Sequence, residues 1–247
     1  YKCGLFNQDT NNIFSFFIEK SLTLGDYVSL IVPKSLINAP EFNKTRELLN
    51  RHRITNIFDF GEKGFKGVKI ETVCFIVQPG KAPRTTIVES YITNEHVAYN
   101  QSYITDPAYP YWLIYRNDNF DIVADRMMFN IFRAYRDRSI TKTNTKESGK
   151  VRVLKSRNIG DNTIINIPGY DCYIDDYENL DVSKYLNQKG CVLVPNLTYS
   201  PRACVMPENC ITDGSVAILT LINKEDKITS KDLAFYATPE FTEFYAI

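Results

Sequence analysis

Three dense apolar runs, spaced by helix-like segments, most constrain what this chain can form. Tyr27-Val28-Ser29-Leu30-Ile31-Val32, closed by Pro33, is rich in β-branched and aromatic side chains and reads as a strand buried on both faces by flanking helices. Ile54–Phe60 is the second run, and Val68–Val77, closed by Pro79-Gly80, is the third. Asp9–Leu24 reads as a helix capped by Asp9 or Asn11, with Ile13, Phe14, Phe17 and Leu24 near one face and Gly25 as its stop. A second helix, Pro40–Arg51, sets Phe42, Leu48 and Leu49 on one side. This β-α-β rhythm predicts a largely parallel sheet, to which Arg84–Tyr91 adds an edge strand or from which it leads away.

Between the second and third runs lies Gly61-Glu62-Lys63-Gly64-Phe65-Lys66-Gly67, a turn carrying one aromatic among glycines and lysines. Phe65 is either a platform at the mouth of the fold or a loop aromatic that folds back onto the core. Lys63, Lys66 and Lys69 either meet phosphates or form a solvated surface.

The 247 residues suffice for one large domain or two smaller ones, and 29 basic against 29 acidic side chains leave no net charge. A surface for a polyanion must therefore be a local patch. The longest apolar runs are too short to cross a bilayer and the first residues lack a signal-peptide pattern, which points to a cytoplasmic protein. An opening Tyr1 in place of Met implies that the chain begins inside a longer protein. Cys3, Cys74, Cys172, Cys191, Cys204 and Cys210 contain no CxxC pair and read as reduced, mostly buried thiols. His52 and His96 are the only histidines, no GxSxG is present, and the carboxylate pairs Asp175-Asp176 and Glu225-Asp226 lack a nuclease pattern.

Beyond Tyr91 the texture changes. Asn94–Tyr115, with Tyr99, Tyr103, Tyr109, Tyr111, Trp112 and Tyr115, is a base-contacting surface or an aromatic linker packed on its neighbours. Asp121–Arg138 reads as a helix with Arg126, Arg133, Arg136 and Arg138 exposed. From Ile140 onward, short strands at Val151–Leu154, Thr163–Ile167, Cys191–Pro195, Ala203–Met206 and Val216–Ile222, a helix at Val182–Asn187 and a last helix from Ser230 or Pro239 make an α+β module.

The order of these segments resembles a known family. A helix, a strand ending Ile31-Val32-Pro33, a helix holding Arg46-Glu47-Leu48-Leu49, then Ile57-Phe58-Asp59-Phe60-Gly61, the Phe65 loop and Thr72-Val73-Cys74-Phe75-Ile76 are similar to the second half of the Taq-type, gamma-class adenine-specific DNA methyltransferases of restriction–modification systems. Residues 1 to 92 carry this likeness, and the family's Asn-Pro-Pro-aromatic loop and Gly-rich cofactor strand do not occur in the sequence. Over residues 140 to 247, Lys155-Ser156-Arg157-Asn158-Ile159, Tyr173-Ile174, Gly190-Cys191-Val192-Leu193-Val194, Thr212-Asp213-Gly214 and the Leu233–Phe241 ending resemble target recognition domains, including those of type I specificity subunits.

The resemblance implies an α/β fold: a partial class I, Rossmann-like methyltransferase sheet over 1–92, an aromatic linker and helix over 93–139, and an α+β DNA target recognition domain over 140–247. It implies that Phe65 stacks on an adenine swung out of duplex DNA. It offers Lys155, Arg157, Asn158, Asn196, Thr198, Tyr199 and Arg202 as DNA-contacting residues, with Arg202 suited to guanine and Asn158 or Asn196 to adenine, and Lys63, Lys66 and Lys142 at phosphates. S-adenosylmethionine is then the cofactor of the parent enzyme, none is expected to bind this chain alone, and the chain alone is expected to be inactive. Double-stranded DNA is the expected partner, with a homodimer formed through exposed sheet edges. The other reading is a non-catalytic DNA-binding specificity module, or a protein-interaction module, that reuses the fold.

Overall fold

The structure is a computed structural model that describes residues 6–247. One compact unit ends at Arg116 and a second begins at Asn117. The aromatic stretch after Tyr91 therefore belongs with the first unit.

The first unit is built on a five-stranded sheet in the order β1-β3-β2-β4-β5. Its strands are β1 (Val28–Pro33), β2 (Arg53–Gly61), β3 (Thr72–Gln78), β4 (Thr85–Ser90) and β5 (His96–Asn100). The β-α-β rhythm does give β1 and β2 the same direction. The sheet is nonetheless mostly antiparallel, because β3 slots between them and runs against both, with Phe75 opposite Leu30 on one side and Ile57 on the other. Only β2 and β4 pair in parallel, and β5 closes the far side as a hairpin on β4.

Position in the sheet explains the burial. Interior strand β3 has two paired neighbours and a nearly continuous buried run. Strand β1 lies at the edge and buries Val28 and Val32 while exposing Ile31, so it is covered on one face rather than two.

Helix α1 (Ile13–Ser21) is shorter than its sequence pattern and is rotated from it. Phe14, Ile18 and Leu22 face the core, whereas Ile13, Phe17 and Leu24 of the expected face are exposed. Helix α2 (Asn43–Asn50) follows a 3-10 turn at Pro40–Phe42 and buries Leu49. Phe42, Leu36, Leu49, Ile54 and Ile57 are fully buried here, each contributing about 1.5–3 kcal/mol relative to exposure.

The short helix α3 (Gln101–Ile104) is fixed by Gln101, whose amide accepts from the Ile54 N–H (2.8 Å) and donates to the His52 carbonyl (2.9 Å). Trp112 is buried edge-on against Phe75, with ring centroids 5.8 Å apart.

In the second unit, helix α4 (Asp118–Ala124) is capped by Asn117, whose side chain accepts from the Phe120 N–H (2.9 Å). The helix expected over Asp121–Arg138 stops there. Asn130 adopts a positive φ of 59°, and Phe132–Tyr135 becomes strand β6 paired with β12 (Val216–Leu221). Cross-strand pairing there outweighs the helical spacing of the apolar residues, so Arg126, Arg133, Arg136 and Arg138 share no helix face.

A four-stranded antiparallel sheet runs β10-β9-β12-β6, with β9 (Val192–Pro195) and β10 (Cys204–Val205). A three-stranded sheet runs β11-β7-β8, with β7 (Val151–Leu154), β8 (Cys172–Ile174) and β11 (Cys210–Thr212). Leu154, Ile159, Leu193, Ile211, Val216 and Ile218 share one core. Thr163–Ile167, expected as a strand, contributes only a single bridge, between Ile159 and Ile164. Val182–Asn187 is replaced by a 3-10 turn over Asp181–Tyr185. Both proposed starts of the last helix are used, by α5 (Ser230–Phe235) and α6 (Pro239–Tyr245). Thr229 and Asp232 form a reciprocal capping box at α5.

Gly214 has a packing reason to be glycine. A Cβ there would lie 2.8 Å from the Asp137 carbonyl oxygen, a backbone atom that cannot swing aside. Asp137 is itself buried and accepts from the Ser139 and Ile140 N–H groups at 2.8 and 2.7 Å. Gly214→Ala is expected to lower stability by about 1–3 kcal/mol in urea denaturation, the cost of overpacking.

Cys74, Cys172, Cys191, Cys204 and Cys210 are free, Cys3 lies outside the described residues, and burial pushes the Cys204 thiol up to about 12. Among the described residues, no helix is long and apolar enough to cross a membrane.

Candidate nucleic-acid interface

In the first unit the relevant surface lies where β1 and β2 end and β3 begins, the side of an α/β sheet on which ligands gather. The register makes this corner. Val32 and Asp59 both face Val73, and Pro33 and Gly61 both face Thr72, so Lys34, the next residue after β1, lies two positions beyond the level of Asp59 and reaches back to it with its side chain. Lys34 Nζ lies 2.7 Å from Asp59 Oδ2, and the Tyr115 hydroxyl donates to the same oxygen at 2.5 Å. The Gly61 N–H donates to Oδ1 at 2.9 Å. Asp59 is 1% exposed, so its charge is compensated by partners rather than by water. Burial, and next the hydrogen bond to Asp59, push the Tyr115 hydroxyl above the ordinary phenol range.

The turn rises from this corner. Gly61 takes a φ of 50°, and Ile92 occupies the space a Cβ would need. Gly67 takes a φ of 80°. Phe65 is 49% exposed, and Val68, Ile70, Tyr91 and Ile92 around the same end of the sheet are also exposed. Strand β3 starts at Thr72 rather than Val68, which leaves the whole of 62–71 as loop. Lys63 donates to the Tyr91 carbonyl (3.1 Å), and Phe60 packs on the Tyr91 ring. Lys66 is exposed.

In the second unit the turn after β7 carries Lys155, Arg157 and Asn158. Lys155 Nζ sits 3.9 Å from the centre of the Tyr170 ring and donates to the Tyr170 carbonyl, while the exposed Arg157 guanidinium lies 4.8 Å from the same ring centre. Asn158 departs from the expectation of a base reader. It is fully buried, its oxygen accepts from the Lys155 N–H, and its nitrogen donates to the Ile165 carbonyl and to Asp171. Asp171 in turn binds Arg152 at 2.9 Å.

Arg202 also differs from expectation. Its guanidinium donates to the Ile159 carbonyl (2.6 Å), the Ser156 carbonyl (3.1 Å), Thr198 Oγ1 (3.1 Å) and the Ser200 carbonyl (2.8 Å). Four bonds within the fold leave no forked pair of donors for guanine. The residue ties the 196–202 loop to the Ser156–Asn158 turn. Asn196 anchors the other end of the loop through its N–H to the Ser215 carbonyl (2.8 Å), and Thr198 closes it on Ser200. Between these anchors Tyr199 is 100% exposed and Leu197 87% exposed. Lys142 is exposed, and Lys146 is paired with Asp175 at 2.9 Å.

Sequence reasoning thus found Phe65, Arg157 and Tyr199 at the surface. It missed Lys34, Asp59, Tyr115, Tyr170 and Leu197. A lone carboxylate inside the apolar run Ile57–Phe60 was the available signal for Asp59.

The sequence model of one protein family, described as the Eco57I restriction-modification methylase, matches residues 1–65. This segment of the chain is similar to that family. Among solved structures, one similar to this chain is described as the type IIG restriction endonuclease BpuSI, at 14% identity and a TM-score of 0.39. The alignment covers 86% of this chain and 37% of that one, so the chain spans little more than a third of its length. No curated protein matches the sequence.

Proposed function

We propose that this chain is the target-base pocket wall and DNA target recognition portion of an adenine-specific DNA methyltransferase acting in a cytoplasmic restriction–modification system. The observation that carries it is the half-exposed Phe65, raised on two positive-φ glycines in a chain whose first 65 residues match a restriction-modification methylase family. An enzyme that modifies a base must draw it out of the stack, and an exposed ring at the pocket replaces part of the lost stacking. Asp59, Lys34 and Tyr115 hold the base of that turn; Arg157, Asn196 and Tyr199 remain as DNA-facing groups, with Lys66 and Lys142 exposed for phosphates, whereas the Thr198 hydroxyl is taken up by Ser200 and Arg202 and drops out as a reader.

The methyl donor of the proposed enzyme is S-adenosylmethionine, which supplies the transferred methyl group. We place its site outside these residues: Gly61 and Gly67 shape the Phe65 turn, and β1 ends in Pro33 and is followed by Lys34-Ser35 rather than a glycine-rich cradle.

The whole chain is expected to bind duplex DNA with an affinity that falls steeply as salt rises; affinity no greater than that of an acidic control protein would remove the reading. In the parent polypeptide, Phe65→Ala is expected to lower methyl transfer to adenine by about ten- to hundredfold, with duplex affinity nearly unchanged. Transfer at the unaltered rate would show that Phe65 is an ordinary loop aromatic.

A homodimer is a further part of the proposal, because β1 and β5 each pair on one side only. Sedimentation of the chain as a monomer at all concentrations would remove it.

A further inference from the structure

The Asn196–Arg202 loop carries its two most exposed side chains, Leu197 and Tyr199, on a backbone tied at both ends. Its flanks, Pro195, Pro201 and Ala203, are buried. Its ends are fixed by the Asn196 N–H on the Ser215 carbonyl and by the four hydrogen bonds of Arg202. A loop that merely connects β9 to β10 gains nothing from holding a leucine and a tyrosine out in water, where apolar area is unfavourable. Such a tip has the form of a wedge.

The charge beside it identifies the occupant. The residues 195–203 contain one charged side chain, Arg202, and the turn 155–159 to which Arg202 binds contains Lys155 and Arg157. Neither segment holds a carboxylate. Of the adjoining ones, Asp213 accepts from Ser215 at 2.9 and 2.6 Å, Asp171 is taken up by Asn158 and Arg152, and Asp161 is exposed on the turn whose Asn162 N–H reaches the Ala203 carbonyl, so residues 155–163 and 195–203 together carry three cations and one carboxylate. An apolar tip among cations fits a polyanion with stacked, apolar faces between its charges.

We propose that this loop is an unstacking wedge for duplex DNA: Leu197 enters between two base pairs, Tyr199 stacks on the base so exposed, and Arg202 sets the height and rigidity of the tip. Proteins that insert apolar side chains between base steps offset the lost stacking with their own contacts. In this arrangement Arg202 is a positioning residue, and reading of base edges falls to other groups on the loop. The inference rests on the DNA-binding reading given above.

The test uses the whole chain, with fluorescence anisotropy of a labelled mixed-sequence duplex of about two helical turns and of the same duplex carrying one central abasic site. An abasic gap removes the unstacking cost, so the wedge predicts about tenfold tighter binding to the gapped duplex. Leu197→Ser with Tyr199→Ser abolishes that preference while the thermal midpoint stays unchanged, since both side chains are exposed. Arg202→Lys keeps the charge but cannot hold four acceptors, and lowers the preference more than the overall affinity. Equal binding of the two duplexes, or a preference that survives the double substitution, overturns the wedge and leaves DNA binding standing. Failure to bind either duplex overturns the DNA reading and the wedge together.

Discussion

Asp59→Ala is expected to destabilise the first unit by about 3 kcal/mol or more, measured as a lowered midpoint in urea denaturation. The carboxylate is buried and holds three partners: Lys34 at 2.7 Å, the Tyr115 hydroxyl at 2.5 Å and the Gly61 N–H at 2.9 Å. Removing it leaves a half-buried ammonium without its counter-charge, and the loss of such a partner costs more than the pair itself contributes. Asp59→Asn loses the charge and keeps one acceptor oxygen, enough for the Gly61 N–H or the Tyr115 hydroxyl but not both, so it recovers only part of the loss. Lys34→Met, which removes the cation instead, leaves the anion with two hydrogen-bond donors. A loss below about 1 kcal/mol for Asp59→Ala would show that water takes the place of these bonds.

Arg46→Met carries the second large effect. Arg46 is 4% exposed, and its guanidinium donates to the carbonyls of Leu36 (2.8 Å), Ala39 (2.9 Å) and Pro110 (3.1 Å) and to the Asn43 side chain. One residue of α2 thus ties together the 3-10 turns at Lys34–Ile37 and Pro40–Phe42 and the aromatic stretch around Pro110. Burial pulls the guanidinium below its ordinary pKa, with Tyr111 acting in the opposite sense. Methionine fills much of the volume but donates nothing, leaving up to two carbonyls, of Leu36 and Pro110, without a partner at about 1–3 kcal/mol each, while Ala39 keeps the Phe42 N–H. The expected loss is about 3 kcal/mol or more in the same measurement. Proteolysis at residues 106–113 is expected to quicken alongside, because the tie to Pro110 is gone.

The strands were legible because burial writes its own period into the chain. The runs at Tyr27–Val32, Ile54–Phe60 and Val192–Pro195 all became strands. Sheet order was not legible, since nothing local in Thr72–Gln78 states that it inserts between two earlier strands. The Phe65 turn could be read as surface from its flanking glycines. Asn158 and Arg202 could not be read as internal braces, because their partners, Asp171 and the Ile159 carbonyl, lie 13 and 43 residues away. The segment 121–138 was misread for a related reason: its apolar spacing suits a helix, but β12 offers Phe132–Tyr135 a ladder that only the folded chain displays.

The insertion of β3 has a consequence for the order in which the polypeptide is made. During synthesis β1 and β2 emerge first, pointing the same way with a strand-wide gap between them, and neither can pair with the other in the native arrangement. The gap closes only when Thr72–Gln78 leaves the ribosome and the Phe65 turn doubles it back. A nascent chain ending before Thr72 therefore carries two strands without a partner, a state open to mispairing. The turn that presents the aromatic ring is also the hinge on which the sheet shuts, so a faulty turn harms assembly before it harms chemistry.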